Sequence, residues 1–348
     1  ADLAKYQNSF EKEKFDAANN PLDRDDSSLA EALFKELLEA SQARREDAER
    51  EEASLHYRLG KIAEDAVRWH DAYTHYKRAN DLHETFDHLS AYARMTWRLA
   101  KGLEAIPLHE KLLEAAKSEN GDVSAEYAVQ LNNFAMLVNA QGRYTEAEVL
   151  CRQALEIDRV TIGEGHSRYA THLNNLAGVV QEQKRYSEAE GLYREALEVD
   201  RATIGEDHPD YATRLNNLGS VLEAQGSYTE AEGLYRKALV ITYEGFGAVH
   251  PNYAIRLNNL AGVVQAQGRL EEAEGLYREA LEITRVAPGE QHPSYAIRLG
   301  NLGQLLGQMD RAEEGREMLE QALEIFRATL PPDHPHIAET ERRLADLP

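Results

Sequence analysis

With 348 residues, 42% of them hydrophobic and 29% charged, the chain has enough apolar material for a substantial core. Its 39 Lys and Arg against 61 Asp and Glu leave a formal net charge of −22, which opposes phosphate backbones and anionic lipid surfaces, so neither nucleic acid nor membrane is an expected partner. A single cysteine, Cys151, excludes an internal disulfide framework and fits a reducing, cytoplasmic location, and no run reads as a membrane span or a signal peptide.

Residues 1–52 read as a helical lead-in. Leu3, Tyr6 and Phe10 have helical spacing ahead of a break at Asn19-Asn20-Pro21. Ser27 or Ser28 can cap a helix whose apolar face is Leu29, Leu33, Phe34, Leu37 and Leu38. The charged run from Ala43 to Glu52 reads as a solvated face or helix connection. Because the sequence begins at Ala1 rather than Met, a processed protein or a piece of a longer one is expected.

Residues 53–123 carry two degenerate helix pairs. Trp69, Ala72, Tyr76, Ala79 and Leu82 have the spacing that recurs at Tyr186, Ala189, Tyr193, Ala196 and Val199, and a looser unit follows with Tyr92, Leu99, Ala105 and Leu112. Irregular end units are expected of a stacked array, because an end unit has one neighbour and meets solvent on its other side.

From 124 to 333 the chain repeats. Tyr127, Tyr169, Tyr211, Tyr253 and Tyr295 stand 42 residues apart, and five units begin near Ser124, Ser167, Pro209, Pro251 and Pro293. In each, a first helix carries apolar residues such as Leu173, Leu176, Ala177 and Val180, and a second carries Ala189, Leu192, Tyr193 and Ala196. Glycines such as Gly142, Gly226 and Gly268 end the first helix, and Pro209, Pro251, Pro293 and Pro335 suit a first helical position, where a missing N–H costs nothing. Residues 334–348 read as one more first helix without its partner, a cap on the last apolar face.

The small and large positions Ala177, Ala189, Ala196 and Tyr193 match tetratricopeptide repeats, whose usual period is about 34. The longer period here, with Leu-Asn-Asn-Leu-Ala at 173–177, Glu-Ala-Glu at 188–190 and Gly-x-x-His-Pro at 205–209, resembles the kinesin light chain type of this repeat. That resemblance covers roughly residues 124–347. It implies an all-α, right-handed superhelical solenoid of antiparallel helix pairs, whose first helices line a concave groove that binds peptides, including tryptophan-acidic cargo motifs. The sequence departs from a motor subunit in having no long heptad coiled coil ahead of the repeats and no lysines at the expected groove positions. Such repeats also occur attached to signalling, ATPase or protease domains.

On a helical wheel the face opposite Leu173, Leu176, Ala177 and Val180 holds Thr171, Asn175, Gly178 and Glu182. Asn133, Asn175, Asn217, Asn259 and Asn301 are therefore expected to point into the groove as a ladder of amides, each a donor and an acceptor for the backbone of an extended peptide. The first asparagine of each pair, Asn132, Asn174, Asn216 and Asn258, is replaced by Gly300 in the fifth unit, which suggests a bond to the following repeat. Arg214, Arg256 and Arg298 form a flanking row able to grip carboxylates, with salt bridges to neighbouring glutamates as the competing use. Gly178, Ser220 and Gly262 either leave room for a ligand side chain or relieve crowding.

His166, His208, His250, His292 and His334 each stand at a helix start and read as caps, too far apart in sequence for one metal site. His83 and His88 are five apart, not the four of a zinc-protease helix, and Cys151 stands in the slot of Tyr193, where a packing role is expected. No catalytic constellation, metal site or cofactor motif is expected. The sequence reads as a non-catalytic scaffold that takes an extended peptide or partner domain in its groove. A regulatory arm of a larger protein, or a self-assembling protein, are the other readings. Around Phe10 and Phe15 the N-terminal segment is a candidate for self-association or for docking into the chain's own groove.

Overall fold

The computed structural model describes residues 31, 32, 35, 47–66, 68–99, 102–330, 332 and 334–347. The readings on Leu3, Tyr6, Phe10 and Phe15, and on Leu29, Leu33, Phe34, Leu37 and Leu38, lie outside the described residues. Among those that are described, fifteen α-helices follow one another and no strand occurs. They are α1 (Asp47–Asp65), α2 (Trp69–Leu82), α3 (Phe86–Arg98), α4 (Gly102–Asn120), α5 (Ala125–Ala140), α6 (Tyr144–Thr161), α7 (Ser167–Glu182), α8 (Tyr186–Thr203), α9 (Pro209–Ala224), α10 (Tyr228–Phe246), α11 (Pro251–Ala266), α12 (Leu270–Thr284), α13 (Pro293–Gln308), α14 (Ala312–Thr329) and α15 (Pro335–Ala345). A short π-turn, Arg285–Gly289, follows α12. The chain divides into two compact units, one ending at Ile157 and the other beginning at Asp158 inside α6.

In the first unit each helix from α1 to α5 packs on the next. Small residues set the spacing. Ala63, Ala72, Ala91 and Met95 enclose Tyr76 and Tyr92, with Tyr57, Trp69 and Tyr73 packed against them. Gly60 lies beneath the Tyr76 ring, where a Cβ would come within 2.6 Å of it. The buried Tyr76 satisfies its hydroxyl by donating to Glu64 Oε2 at 2.8 Å.

The second unit alternates first helices (α7, α9, α11, α13) with second helices (α8, α10, α12, α14), each packed on its successor, and ends on α15. Every first helix starts the same way. His166, His208, His250, His292 and His334 each accept, through Nδ1, the N–H of the residue two positions on, at 3.1 to 3.2 Å. This satisfies one of the N–H groups a helix start leaves unpaired. Where the next residue is proline, one such group is absent altogether.

The turn between paired helices needs one left-handed residue. Gly142, Gly226 and Gly268 supply it at φ 76°, 82° and 80°, while Lys184 and Asp310 adopt the same region at 62° and 58°. Leu173, Leu176, Ala177 and Val180 are buried, as are Ala189 and Ala196, whose lack of bulk lets the helices of a pair close around Tyr193. At the far end Ile337 of α15 completes a cluster with Tyr295, Leu299, Leu323 and Phe326.

Candidate functional site

The asparagine pairs lie along the seams between successive first helices. Asn217 Nδ2 donates to Asn174 Oδ1 at 2.9 Å, Asn259 Nδ2 to Asn216 Oδ1 at 3.0 Å, and Asn301 Nδ2 to Asn258 Oδ1 at 2.8 Å, each partner 43 residues earlier. Within pairs, Asn174 and Asn258 donate to Asn175 and Asn259 at 3.3 and 3.4 Å. The second asparagine is thus a seam residue as well as a surface one: Asn175, Asn217, Asn259 and Asn301 are half-buried, and Asn133 is exposed. The first asparagine does bond to the following repeat. Its absence at Gly300 makes sense from α15, where Arg343 occupies the equivalent of the second asparagine. Its Nη1 passes 3.7 Å from where a Gly300 Cβ would sit and donates to Asn301 Oδ1 at 3.1 Å.

The arginine row is buried, unlike the accessible row the wheel suggests: Arg214, Arg256 and Arg298 are only 4%, 6% and 6% exposed. Arg214 Nε forms an ion pair with Asp200 Oδ2 at 3.0 Å, while Nη1 and Nη2 donate to the Asp210 carbonyl and Thr171 Oγ1 at 3.2 and 2.9 Å. A partner's carboxylate would therefore find Arg214 already occupied. One repeat earlier the slot holds His172, whose Nδ1 lies 2.7 Å from the fully buried Asp158, with Arg168 3.2 Å from the same carboxylate. Arg256 donates only to Thr213 Oγ1, at 2.9 Å, and the Nε atoms of Arg256 and Arg298 are buried without a partner. Burial pulls both guanidiniums down to about 10, so they remain charged at neutral pH.

A row of tyrosine hydroxyls reaches the same face. Tyr193, Tyr235 and Tyr277 donate to Gln181, Glu223 and Gln265 at 3.4, 2.9 and 3.1 Å, each twelve residues earlier. Burial pushes their pKa values well above the ordinary range, and burial also raises that of Glu223 against the opposing Tyr235 bond. Gly178 and Gly262 lie beside these hydroxyls. A Cβ at Gly178 would stand 3.5 Å from the Tyr193 hydroxyl, one at Gly262 would stand 3.6 Å from that of Tyr277, and Ser220 Oγ accepts from Gln181 Nε2 at 3.0 Å. At these distances a methyl group would make ordinary contact, so crowding does not require glycine at 178 or 262.

The remaining sequence candidates are structural in their contacts. Cys151 is fully buried, which raises its thiol to about 12. His88 Nδ1 meets the His83 carbonyl at 2.6 Å. No group of three or more His, Cys, Asp or Glu among the described residues could hold a metal ion, and no helix among them is long and apolar enough to cross a membrane. The exposed edge of the second helices carries a periodic ion-pair ladder. Arg194, Arg236 and Arg278 each join a glutamate one turn back to one in the next repeat, at 2.7 to 3.0 Å.

Sequence reasoning missed two features. One is the column Asp158, Asp200, Thr242, Thr284, Phe326, in which the acid that faces the arginine slot is lost after the second copy; its signal was the 42-residue register itself. The other is the partner of the expected inter-repeat bond, the second asparagine of the next pair, which needs the offset of 43 between touching residues that only packing sets.

Models of the tetratricopeptide repeat match residues 84–159, 127–202, 168–242, 252–328 and 299–347, more than half of the chain. A comparison with curated proteins finds no significant match. Among solved structures, BtubC (BKLC) from P. vanneervenii is similar over 68% of this chain and 92% of its own, with a TM-score of 0.52 and 22% identity. A putative kinesin light chain with nearly identical TPR-like repeats from Podosopora anserina is similar over 59% of this chain and 98% of its own, with a TM-score of 0.50 and 23% identity. Proteins built from this repeat generally serve as protein-interaction scaffolds. With its helix pairs, its 42-residue register and these matches, the chain belongs to the tetratricopeptide repeat family, and its repeats resemble the kinesin light chain type.

Proposed function

We propose that this chain is a non-catalytic scaffold that holds an extended peptide along its first helices, with Asn175, Asn217, Asn259 and Asn301 as the amide contacts of the second unit and Asn133 as the equivalent residue of the first. The observation that carries this reading is the ladder of half-buried amides from Asn175 to Asn301, held in place by bonds from repeat to repeat. An amide has two N–H groups and two lone pairs, so one seam bond leaves capacity for a ligand's backbone. Fixed side chains also lower the ordering cost of binding. Along α7, α9, α11 and α13 the rows that start at Thr171, Asn175, Gly178 and Glu182 carry a charge only at Glu182, and charges return on α15 with Glu339, Arg343 and Asp346. In a chain of net charge −22 this face is a neutral strip, suited to main-chain contacts. Arg256 and Arg298 flank it, and Arg214 serves the seam.

The test is a comparative capture of partners from the source cell with the intact chain and an Asn175→Ala/Asn217→Ala/Asn259→Ala variant, both checked for helicity by circular dichroism. A partner held by the intact chain and lost by the folded variant supports the reading. Equal capture by both would move binding off the asparagine ladder.

A further inference from the structure

Arg256 and Arg298 lack the carboxylate that Arg214 has. Where Arg214 meets the carboxylate of Asp200 at 3.0 Å, the residues one and two repeats on are Thr242 and Thr284. Both threonines are buried and spend their hydroxyls within their own helices, donating to the Ala238 and Ala280 carbonyls at 2.7 Å each. Neither turns toward the arginine. Arg256 retains the bond to Thr213, but the residue at that register for Arg298 is Ile255, which has no hydroxyl. No carboxylate among the described residues forms an ion pair with either arginine. A guanidinium nine-tenths buried and without a counter-charge is disfavoured unless an anion is supplied. The arrangement at Asp200 shows which anion fits: a single carboxylate-sized charge at Nε. Access is from the first-helix face, where Thr213 is half-buried and Ile255 is 38% exposed.

We propose that Arg256 and Arg298 are binding sites for a small monovalent anion of carboxylate size, which completes the two seams as Asp200 completes the one before them. The anion is either a free ion or the acidic side chain of a bound peptide. This assignment stands apart from the asparagine ladder, since it concerns the seam between a second helix and the next first helix.

The experiment uses the full chain and follows Tm as sodium acetate is added, with sodium gluconate at matched ionic strength as a bulky control. The expected result is a saturable, acetate-specific rise of about 2–4 °C. In a Thr242→Asp/Thr284→Asp variant the carboxylates are built in, so Tm begins higher and the acetate-specific rise disappears. An Arg256→Met/Arg298→Met variant also loses the rise and guards against a failure of the first to fold. A second arm measures binding of a blocked alternating alanine–glutamate peptide against its glutamine counterpart. A preference of about tenfold for glutamate that vanishes in Thr242→Asp/Thr284→Asp assigns the anion to a peptide, and a saturable acetate effect alone assigns it to a free ion. No saturable effect and no glutamate preference in the natural chain, or either one surviving in Thr242→Asp/Thr284→Asp, overturns the proposal. Binding of the glutamine peptide reports on the asparagine ladder separately.

Discussion

At the scale of single residues, an asparagine in mid-helix is a poor helix former, and its partners decide whether it stays neutral or becomes necessary. Asn259 donates to Asn216 and accepts from Asn258, at 3.0 and 3.4 Å. Asn259→Ala should lower stability by about 1 kcal/mol, since the lost bonds at about 1 kcal/mol each outweigh a helix-propensity gain of about half that. Asn133→Ala, at the same repeat position in the first unit but exposed, should be neutral or slightly stabilising; urea denaturation of the two variants checks the difference in sign. Cys151 offers a second check at this scale. With the thiol buried and raised to about 12, native protein should resist labelling by a thiol reagent at pH 8, and should label fully only in denaturant.

Between elements, the distance of closest approach is set by residues without side chains. Gly303 on α13 and Gly315 on α14 face each other so closely that a Cβ on either would stand 2.8 or 2.6 Å from the other's carbonyl oxygen. Backbone cannot step aside as a side chain can, so Gly303→Ala should cost about 2–3 kcal/mol despite alanine's better helix propensity. Gly262→Ala, which meets nothing nearer than 3.6 Å, should gain a fraction of a kcal/mol. Thermal unfolding of the pair separates the two cases. At the last repeat, α15 covers Leu323 and Phe326 through Ile337, which is 7% exposed. Ile337→Asp places a carboxylate there and should lower stability by about 3 kcal/mol or more and expose apolar surface, seen as increased binding of a hydrophobic dye.

For the whole molecule the dominant fact is charge, −22 in total, much of it tied into ion pairs. In Glu232, burial raises the pKa, but bonds from Arg269, Gln267 and Arg236 outweigh it and hold the carboxyl down to about 2. Glu274, Glu314 and Glu339 are lowered by their arginine partners in the same sense, with burial opposing. A depressed carboxylate contributes stability that is present above its unfolded pKa and is lost as pH falls through the folded value. His56, tilted against His75 with Nδ1 to Nδ1 at 2.8 Å, is held to about 4, mainly by burial and then by the charge of His75. The unfolded chain therefore binds its proton first, and stability also falls as pH drops from about 6.5 toward 4. Glu195, Asp200 and Glu223, raised by burial, oppose this over part of the range. The net expectation is a denaturant midpoint that declines from about pH 6.5 and more steeply below about 4.5. In His56→Gln/His75→Gln the first decline should become shallower while the second remains, since His109, His250, His292 and His336, also lowered by burial, still contribute.

The repeat, the two helices in each copy, their starts at His-Pro and their buried stripes were legible in the sequence, because each follows from local spacing and from what proline, glycine and alanine permit. The family followed from the same residues. The seams were not legible to the same degree. Whether Asn217 faces a ligand or Asn174, and whether Arg214 lines a surface or closes on Asp200, depends on how one repeat is translated against the next. That offset is fixed by packing around the tyrosines and alanines of both copies. Sequence determined what each repeat is, and tertiary structure decided which polar groups the stacking consumes and which charges, at Arg256 and Arg298, it leaves without a protein carboxylate.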